Sequence, residues 1–231
     1  MIFRQLFDRQ SSTYTYLVAC PDTRRALLVD PAIDRVGDYC ALLEELELRL
    51  VMAADTHVHA DHITGLGELR TLTGCVTIMG EQAHAACVSR AITDREVLEV
   101  GTLRLEARYT PGHTDDSYCF LMADRVFTGD TLLIRGTGRT DFQNGDPIVA
   151  YRSLTEVLLR LPDETLVYPG HDYRGWTVST IGEERAHNPR LQAGSAEAYA
   201  AIMRALDLPS PAMMDIAVPA NRACGRAVPD R

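Results

Sequence analysis

Apolar residues come in short runs along this chain, some alternating and some unbroken, and between the runs the spacing changes to that of an amphipathic helix. Residues 2–7, 13–19 and 26–30 read as the strands of a meander, with Pro21-Asp22 as one break. Asp34 is positioned to cap a helix running to residue 46, with Val36, Leu42, Leu43 and Leu46 on its apolar side. A buried strand over 48–54 follows, then Ile63, Leu66 and Leu69 at helical spacing, a strand over 76–79 and a helical piece over 81–88. From residue 97 strands return at 97–100, 102–109, 118–122 and 126–128. Asp146-Pro147 then opens an amphipathic helix to residue 161, because a capping carboxylate is followed by a proline whose missing N–H costs nothing at the first turn. A last strand spans 165–168. Thr180 with Glu183 forms a capping box, another helix spans 195–206, and the Pro-rich tail reads as irregular.

Strands followed by helices thus occur twice, once on each side of residue 95. The pattern predicts an α/β fold of two sheets with helices outside both faces. At 231 residues and 46% hydrophobic content the chain can bury a full core as one domain spanning 1–231, with the segment 190–231 packing on it. The first 30 residues carry Arg4, Asp8, Arg9, Asp22, Arg24 and Arg25, which fits neither a secretory signal nor a membrane span and sets the expectation of a cytoplasmic protein. A net charge of −9 argues against nucleic acid as a partner. The six cysteines, Cys20, Cys40, Cys75, Cys87, Cys119 and Cys224, include no C-x-x-C pair and are read as reduced thiols, with Cys224 an inert, exposed one.

Candidate chemistry is concentrated in Thr56-His57-Val58-His59-Ala60-Asp61-His62. In an extended segment residues two apart face the same side, so His57 and His59 can converge. The motif follows a strand, where open α/β sheets place their ligands. Three further potential ligands sit beside glycines at strand ends: Pro111-Gly112-His113, Thr128-Gly129-Asp130 and Pro169-Gly170-His171. Glycine allows the sharp turn that aims a single side chain into a cleft. Five of the seven histidines fall in these positions, whereas His84 and His187 lie in predicted helices. Imidazoles with a carboxylate suit divalent iron or zinc.

T-H-x-H-x-D-H followed by P-G-H, T-G-D and P-G-H resembles the metallo-β-lactamase superfamily, which implies a four-layer αββα sandwich with a metal cleft at one edge. A dinuclear member would use His57, His59 and His113 for one metal, Asp61, His62 and His171 for the other, and Asp130 as the bridge. The segments Gly138-Arg139-Thr140-Asp141-Phe142-Gln143, Asn188-Pro189-Arg190-Leu191 and Met214 to Asn221 with Cys224-Gly225 resemble the persulfide dioxygenases. That resemblance implies one Fe(II) per chain held by His57, His113 and Asp130, with His59, Asp61, His62 and His171 in a supporting shell. It further implies oxidation of glutathione persulfide with O2 and water to sulfite and glutathione.

Glutathione carries two carboxylates, so a cation is expected near the iron. Arg139 is the leading candidate, set against a structural arginine that bonds loop carbonyls. Tyr173 is a second substrate-binding candidate, set against core packing; Arg174 and Arg226 are weaker ones. The expected partners are glutathione persulfide and O2, with no nucleic acid, no membrane, and homodimerisation left open. A dinuclear thioesterase resembling hydroxyacylglutathione hydrolase, with zinc as the metal, is the alternative function, and a non-catalytic metal or persulfide sensor is a remote one.

Overall fold

A computed structural model describes residues 1–209 and 213–225. By internal contacts the chain forms two compact units, one of residues 1–93, 97–105 and the stretch from 210, the other of 94–96 and 106–209. The expected C-terminal segment therefore divides, with 190–209 in the second unit and the described part, 213–225, in the first.

In the first unit the meander forms as its pattern predicts. Strands β1 (Ile2–Asp8), β2 (Thr13–Ala19) and β3 (Arg25–Val29) pair antiparallel. All seven residues of β2 are buried, so its mixed apolar, tyrosine and threonine side chains serve two faces of a core strand. Helix α1 (Val36–Glu45) crosses to β4 (Arg49–Ala54), and α2 (Leu66–Thr73) crosses to β5 (Val76–Gly80) and the short β6 (Arg90–Ile92). Both crossovers join parallel strands, giving a sheet ordered β1-β2-β3-β4-β5-β6. Leu66 and Leu69 are fully buried with Leu17, Leu28 and Leu50, each contributing roughly 2 kcal/mol of transfer free energy.

The second sheet has the order β12-β11-β10-β9-β8-β7, built from β7 (Val97–Val100), β8 (Leu103–Tyr109), β9 (Tyr118–Leu121), β10 (Arg125–Gly129), β11 (Leu166–Pro169) and β12 (Ser179–Thr180). Helix α3 (Pro147–Arg152) begins as expected, with Asp146 accepting from the N–H groups of Ile148 at 2.7 Å and Val149 at 3.1 Å. It widens into a π turn over Ser153–Val157 and packs with α5 (Ala196–Arg204) through the cluster of Leu154, Leu158, Tyr199 and Met203. Thr180 caps α4 (Ile181–His187) by accepting from Glu183 N–H at 3.1 Å. The capping box is only half made, because Glu183 turns its carboxylate to Arg135.

Several expectations are corrected. Asp34 does not cap α1: it lies inside a 3-10 turn, Ile33–Arg35, that precedes the helix. Only Glu81–Ala83 of the 81–88 piece is helical, since His84 takes a left-handed φ of 49° and ends the turn. Of the helically spaced Ile63, Leu66 and Leu69, Ile63 lies outside the helix, because α2 starts at Leu66 and Asp61 and His62 before it fall in bends. The tail is not irregular throughout, because Met214–Arg222 forms a helix, α6, with Pro219 inside it. Nor are all cysteines reduced: Cys87 and Cys224 form a disulfide, and Cys224 is 1% exposed. Cys20, Cys40, Cys75 and Cys119 are free thiols. Among the described residues no helix is long and apolar enough to cross a membrane.

Candidate metal centre

Parallel pairing decides which side chains meet, because neighbouring parallel strands deliver their carboxyl ends to the same edge. Strands β3 and β4 are parallel, so Asp30, just past β3, meets the segment that leaves β4. Asp30 accepts from Thr56 N–H at 2.6 Å and from the Thr56 hydroxyl at 3.0 Å, and it lies 3.1 Å from His59 Nε2. With the Thr56 hydroxyl proton committed to Asp30, Thr56 Oγ1 accepts from His57 Nδ1 at 2.9 Å. That bond places the His57 ring proton on Nδ1 and its lone pair on Nε2, as a metal ligand needs.

The rings of His57 and His59 lie 4.2 Å apart, and those of His59 and His62 lie 4.3 Å apart, so the histidine cluster does converge. His62 Nδ1 meets Asp61 at 2.8 Å. Donor atoms of His59, Asp61 and His62 lie within 4.8 Å of one another. Burial works against a charge on His59, but Asp30, with Asp55 and Asp61 beyond it, outweighs burial and lifts the ring to about 9. Its Nε2 faces Asp30, while its buried Nδ1 has no hydrogen-bond partner among the described residues. A buried imidazole nitrogen in that condition is costly unless something binds it.

In the second unit β10 and β11 are parallel, and Asp130 and His171 follow them. His171 Nδ1 lies 2.6 Å from Asp130 Oδ1, and His113 Nε2 lies 3.5 Å from Asp130 Oδ2. Gly170 is needed for this approach, since a Cβ there would lie 2.7 Å from Asp130 Oδ1. His113 donates from Nδ1 to the main-chain carbonyl of Arg139 at 2.7 Å, which leaves its lone pair on Nε2. Imidazole lone pairs, carboxylates and an orphaned buried nitrogen are the donor chemistry of a divalent metal centre.

Arg139 does not present a free cation. Its guanidinium forks onto Asp141 at 2.7 and 2.8 Å, donates to the carbonyl of Pro209 at 2.6 Å, and lies 4.5 Å from the Phe142 ring. The hydrogen bonds from Arg139 hold the Asp141 carboxyl below the usual range. The arginine that bonds loop carbonyls is therefore the form this side chain takes. Tyr173 is not a core residue: it is 75% exposed and stacked on His171 with ring centroids 5.9 Å apart. The Arg174 guanidinium lies over Trp176 at 5.1 Å, and Arg226 falls outside the described residues.

Asp30 and the contacts made by Thr56, Asn221 and Arg190 were not read from the sequence. Asp30 carried a readable signal, because a carboxylate closing a buried strand repeats the placement of Asp130. Arg190 lies in the second unit, where it donates to the carbonyl of Thr137 and to the Thr137 hydroxyl, the latter at 3.2 Å; Thr137 also meets Tyr199 Oη at 2.7 Å. Burial lowers the Arg190 pKa, and its described partners are neutral.

The family model for the metallo-beta-lactamase superfamily matches residues 8–171, and the chain belongs to that superfamily, with its fold. Within it, the chain falls among the persulfide dioxygenases. It is 45% identical over 232 residues to the human mitochondrial persulfide dioxygenase ETHE1, covering 99% of this chain and 91% of that protein. The crystal structure of ETHE1 from Myxococcus xanthus is 53% identical and superposes with a TM-score of 0.96, covering 98% of this chain and all of the other. A probable hydroxyacylglutathione hydrolase from Schizosaccharomyces pombe is 39% identical over 170 residues, covering 69% of this chain and 64% of the relative.

Proposed function

We propose that this protein is a persulfide dioxygenase that oxidises glutathione persulfide with O2 and water to sulfite and glutathione, using one Fe(II) per chain. The observation that carries the reading is the 45% identity to a curated persulfide dioxygenase over 99% of the chain, against 39% over 69% for the hydrolase relative. The ligands proposed are His57, His113 and Asp130, the set implied by the resemblance. A two-histidine, one-carboxylate set leaves coordination positions for a sulfur ligand and O2 together, and the iron would supply the redox change that moves oxygen onto the outer sulfur.

The protein's own part is positioning. Thr56 fixes the tautomer of His57, and the Arg139 carbonyl fixes that of His113. His171 holds one oxygen of Asp130. Those bonds keep the donor atoms in place without a nucleophile from the protein. For glutathione, Arg190 is a cation with neutral described partners that bonds Thr137, two residues before Arg139. We assign it the carboxylate contact, with Tyr173 as the exposed ring beside His171.

One observation favours a second reading. The orphaned Nδ1 of His59 is a ligand atom that a dinuclear thioesterase would use. Oxygen uptake with glutathione persulfide, measured beside metal content, separates the two. The dioxygenase reading expects about one iron per chain with sulfite formed as O2 is consumed. Two metals per chain, no O2 uptake and hydrolysis of a glutathione thioester would overturn it, and sulfite formation also removes the sensor alternative.

A further inference from the structure

The loop that carries His57, His59, Asp61 and His62 has neither helix nor strand between Asp55 and Ile63, so its own backbone does little to fix it. Asp30 holds its start, through Thr56 and His59, and a side chain from far along the sequence holds the rest. Asn221 is 0% exposed and makes three bonds to this loop. Its Oδ1 accepts from Thr64 N–H at 2.8 Å, and its Nδ2 donates to the carbonyls of His59 and His62, each at 2.9 Å. Three main-chain groups that bracket Asp61 are thereby tied to a single amide in a buried place.

What holds Asn221 is itself weak. Helix α6 has nine residues, no side-chain cap at its start, and Pro219 within it. Its buried side chains, Ala217, Ala220 and Asn221, are small or polar, Val218 is partly buried against the core, and Ile216 is 63% exposed. A helix of that length with so little apolar anchoring is marginal alone. Immediately after it comes the covalent attachment, Cys224 to Cys87, across a sequence separation of 137. The Cys224 carbonyl also accepts from Gly67 N–H in α2 at 3.0 Å, an approach closed to any side chain, since a Cβ at Gly67 would lie 2.4 Å from that oxygen. Arg70, in the same helix, donates to the Cys87 carbonyl at 2.5 Å.

We propose that α6 is a releasable clamp on the metal-binding loop, with Asn221 as its positioning residue and the Cys87–Cys224 disulfide as the bond that a low-molecular-weight thiol opens. Cys87 is partly exposed and Cys224 is buried, so the thiolate attacks Cys87 Sγ. A new disulfide forms between the incoming sulfur and Cys87 as the Cys87–Cys224 bond breaks, and the electron pair leaves on Cys224 Sγ, which takes a proton. A second thiolate attacks the incoming sulfur and releases Cys87 as a thiol. Two thiols are oxidised to one disulfide, and the protein disulfide is reduced to two thiols. If glutathione is the product of the reaction proposed above, it is also the natural reductant; this part alone rests on that reading. Accumulating product would then loosen the loop that serves its formation.

The test uses the full chain without substrate, so its failure is distinct from failure of the dioxygenase reading. Protein oxidised with diamide and denatured without reductant should titrate four thiols of its six cysteines, and all six after dithiothreitol. Amide hydrogen exchange over 57–66 and 214–222 should be faster in the reduced protein, while β10 and β11 stay unchanged. Fe(II) loaded anaerobically should escape to a chelator about tenfold faster from reduced than from oxidised protein, the scale on which groups supporting metal ligands act. Cys87→Ser should show the fast rate with or without dithiothreitol, and Asn221→Ala should show it even when oxidised. Six titratable thiols after diamide, or equal exchange and equal iron release in the two redox states, would overturn the proposal.

Discussion

The imidazole of His113 is oriented by the main chain of Arg139: Nδ1 donates to that residue's carbonyl at 2.7 Å. The arginine side chain serves this bond from a distance, because its fork onto Asp141 and its contact with the Pro209 carbonyl fix the loop that presents the carbonyl.

Arg139→Ala should therefore weaken iron binding by about tenfold or more, as loss of a ligand's supporting partner does. Arg139→Lys should not restore it, since an ammonium cannot reproduce the bidentate fork. Iron titration of the variants checks this. Full iron retention with only a raised KM would instead place the guanidinium on the substrate.

The same pair sets an acid limit. Hydrogen bonds from Arg139 hold Asp141 below the ordinary carboxylate value of 3.8, so the pair's contribution is complete above that value and is lost only as pH falls through the lowered one. The difference in stability between the wild-type protein and Asp141→Asn should stay constant from pH 7 to about pH 5 and shrink only in stronger acid, below the usual carboxylate pKa. Chemical denaturation across that range measures it; convergence already above pH 5 would contradict the assignment.

Arg190→Ala should raise KM for glutathione persulfide by roughly tenfold or more, the scale of a charge-assisted hydrogen bond, with iron content unchanged. Steady-state kinetics beside metal analysis decides it, and an unchanged KM removes Arg190 from the substrate site.

Tyr173 can be separated from stability altogether. At 75% exposure its replacement by alanine should change unfolding free energy by less than about 0.5 kcal/mol, while substrate use falls. Denaturation midpoints and KM measured on the same sample test both halves.

Reduction of the Cys87–Cys224 bond should cost about 3–5 kcal/mol of stability, because a cross-link over so long a separation removes much of the unfolded chain's freedom. Urea midpoints with and without dithiothreitol report it. A shift no larger in the wild-type protein than in Cys87→Ser would show that the bond does not form.

Much of this was legible in the residues for identifiable reasons. Short runs of apolar, aromatic and β-branched residues located β1, β2, β8 and β9. Asp146-Pro147 marked a helix start because a cap acts within three residues. The strand-end glycines pointed to His113, Asp130 and His171, which the structure gathers in one unit. Long-range partnerships were not legible. The use of Arg139 depends on Asp141 and on the distant carbonyl of Pro209, and the disulfide joins cysteines whose spacing carries no signal. Helix α6 escaped notice because Pro219 breaks the pattern that would reveal it, and because its value lies in a single polar residue, Asn221.

That residue lies 162 positions after His59 and only 157 after Thr64. On the ribosome the histidine loop therefore emerges long before the amide that fastens it, and a nascent chain can complete both sheets while its metal loop still lacks three of its hydrogen bonds. Fastening of the histidine loop thus waits for Asn221 to be made, and a chain interrupted just before that residue would lack the amide that accepts from Thr64 N–H and donates to the carbonyls of His59 and His62.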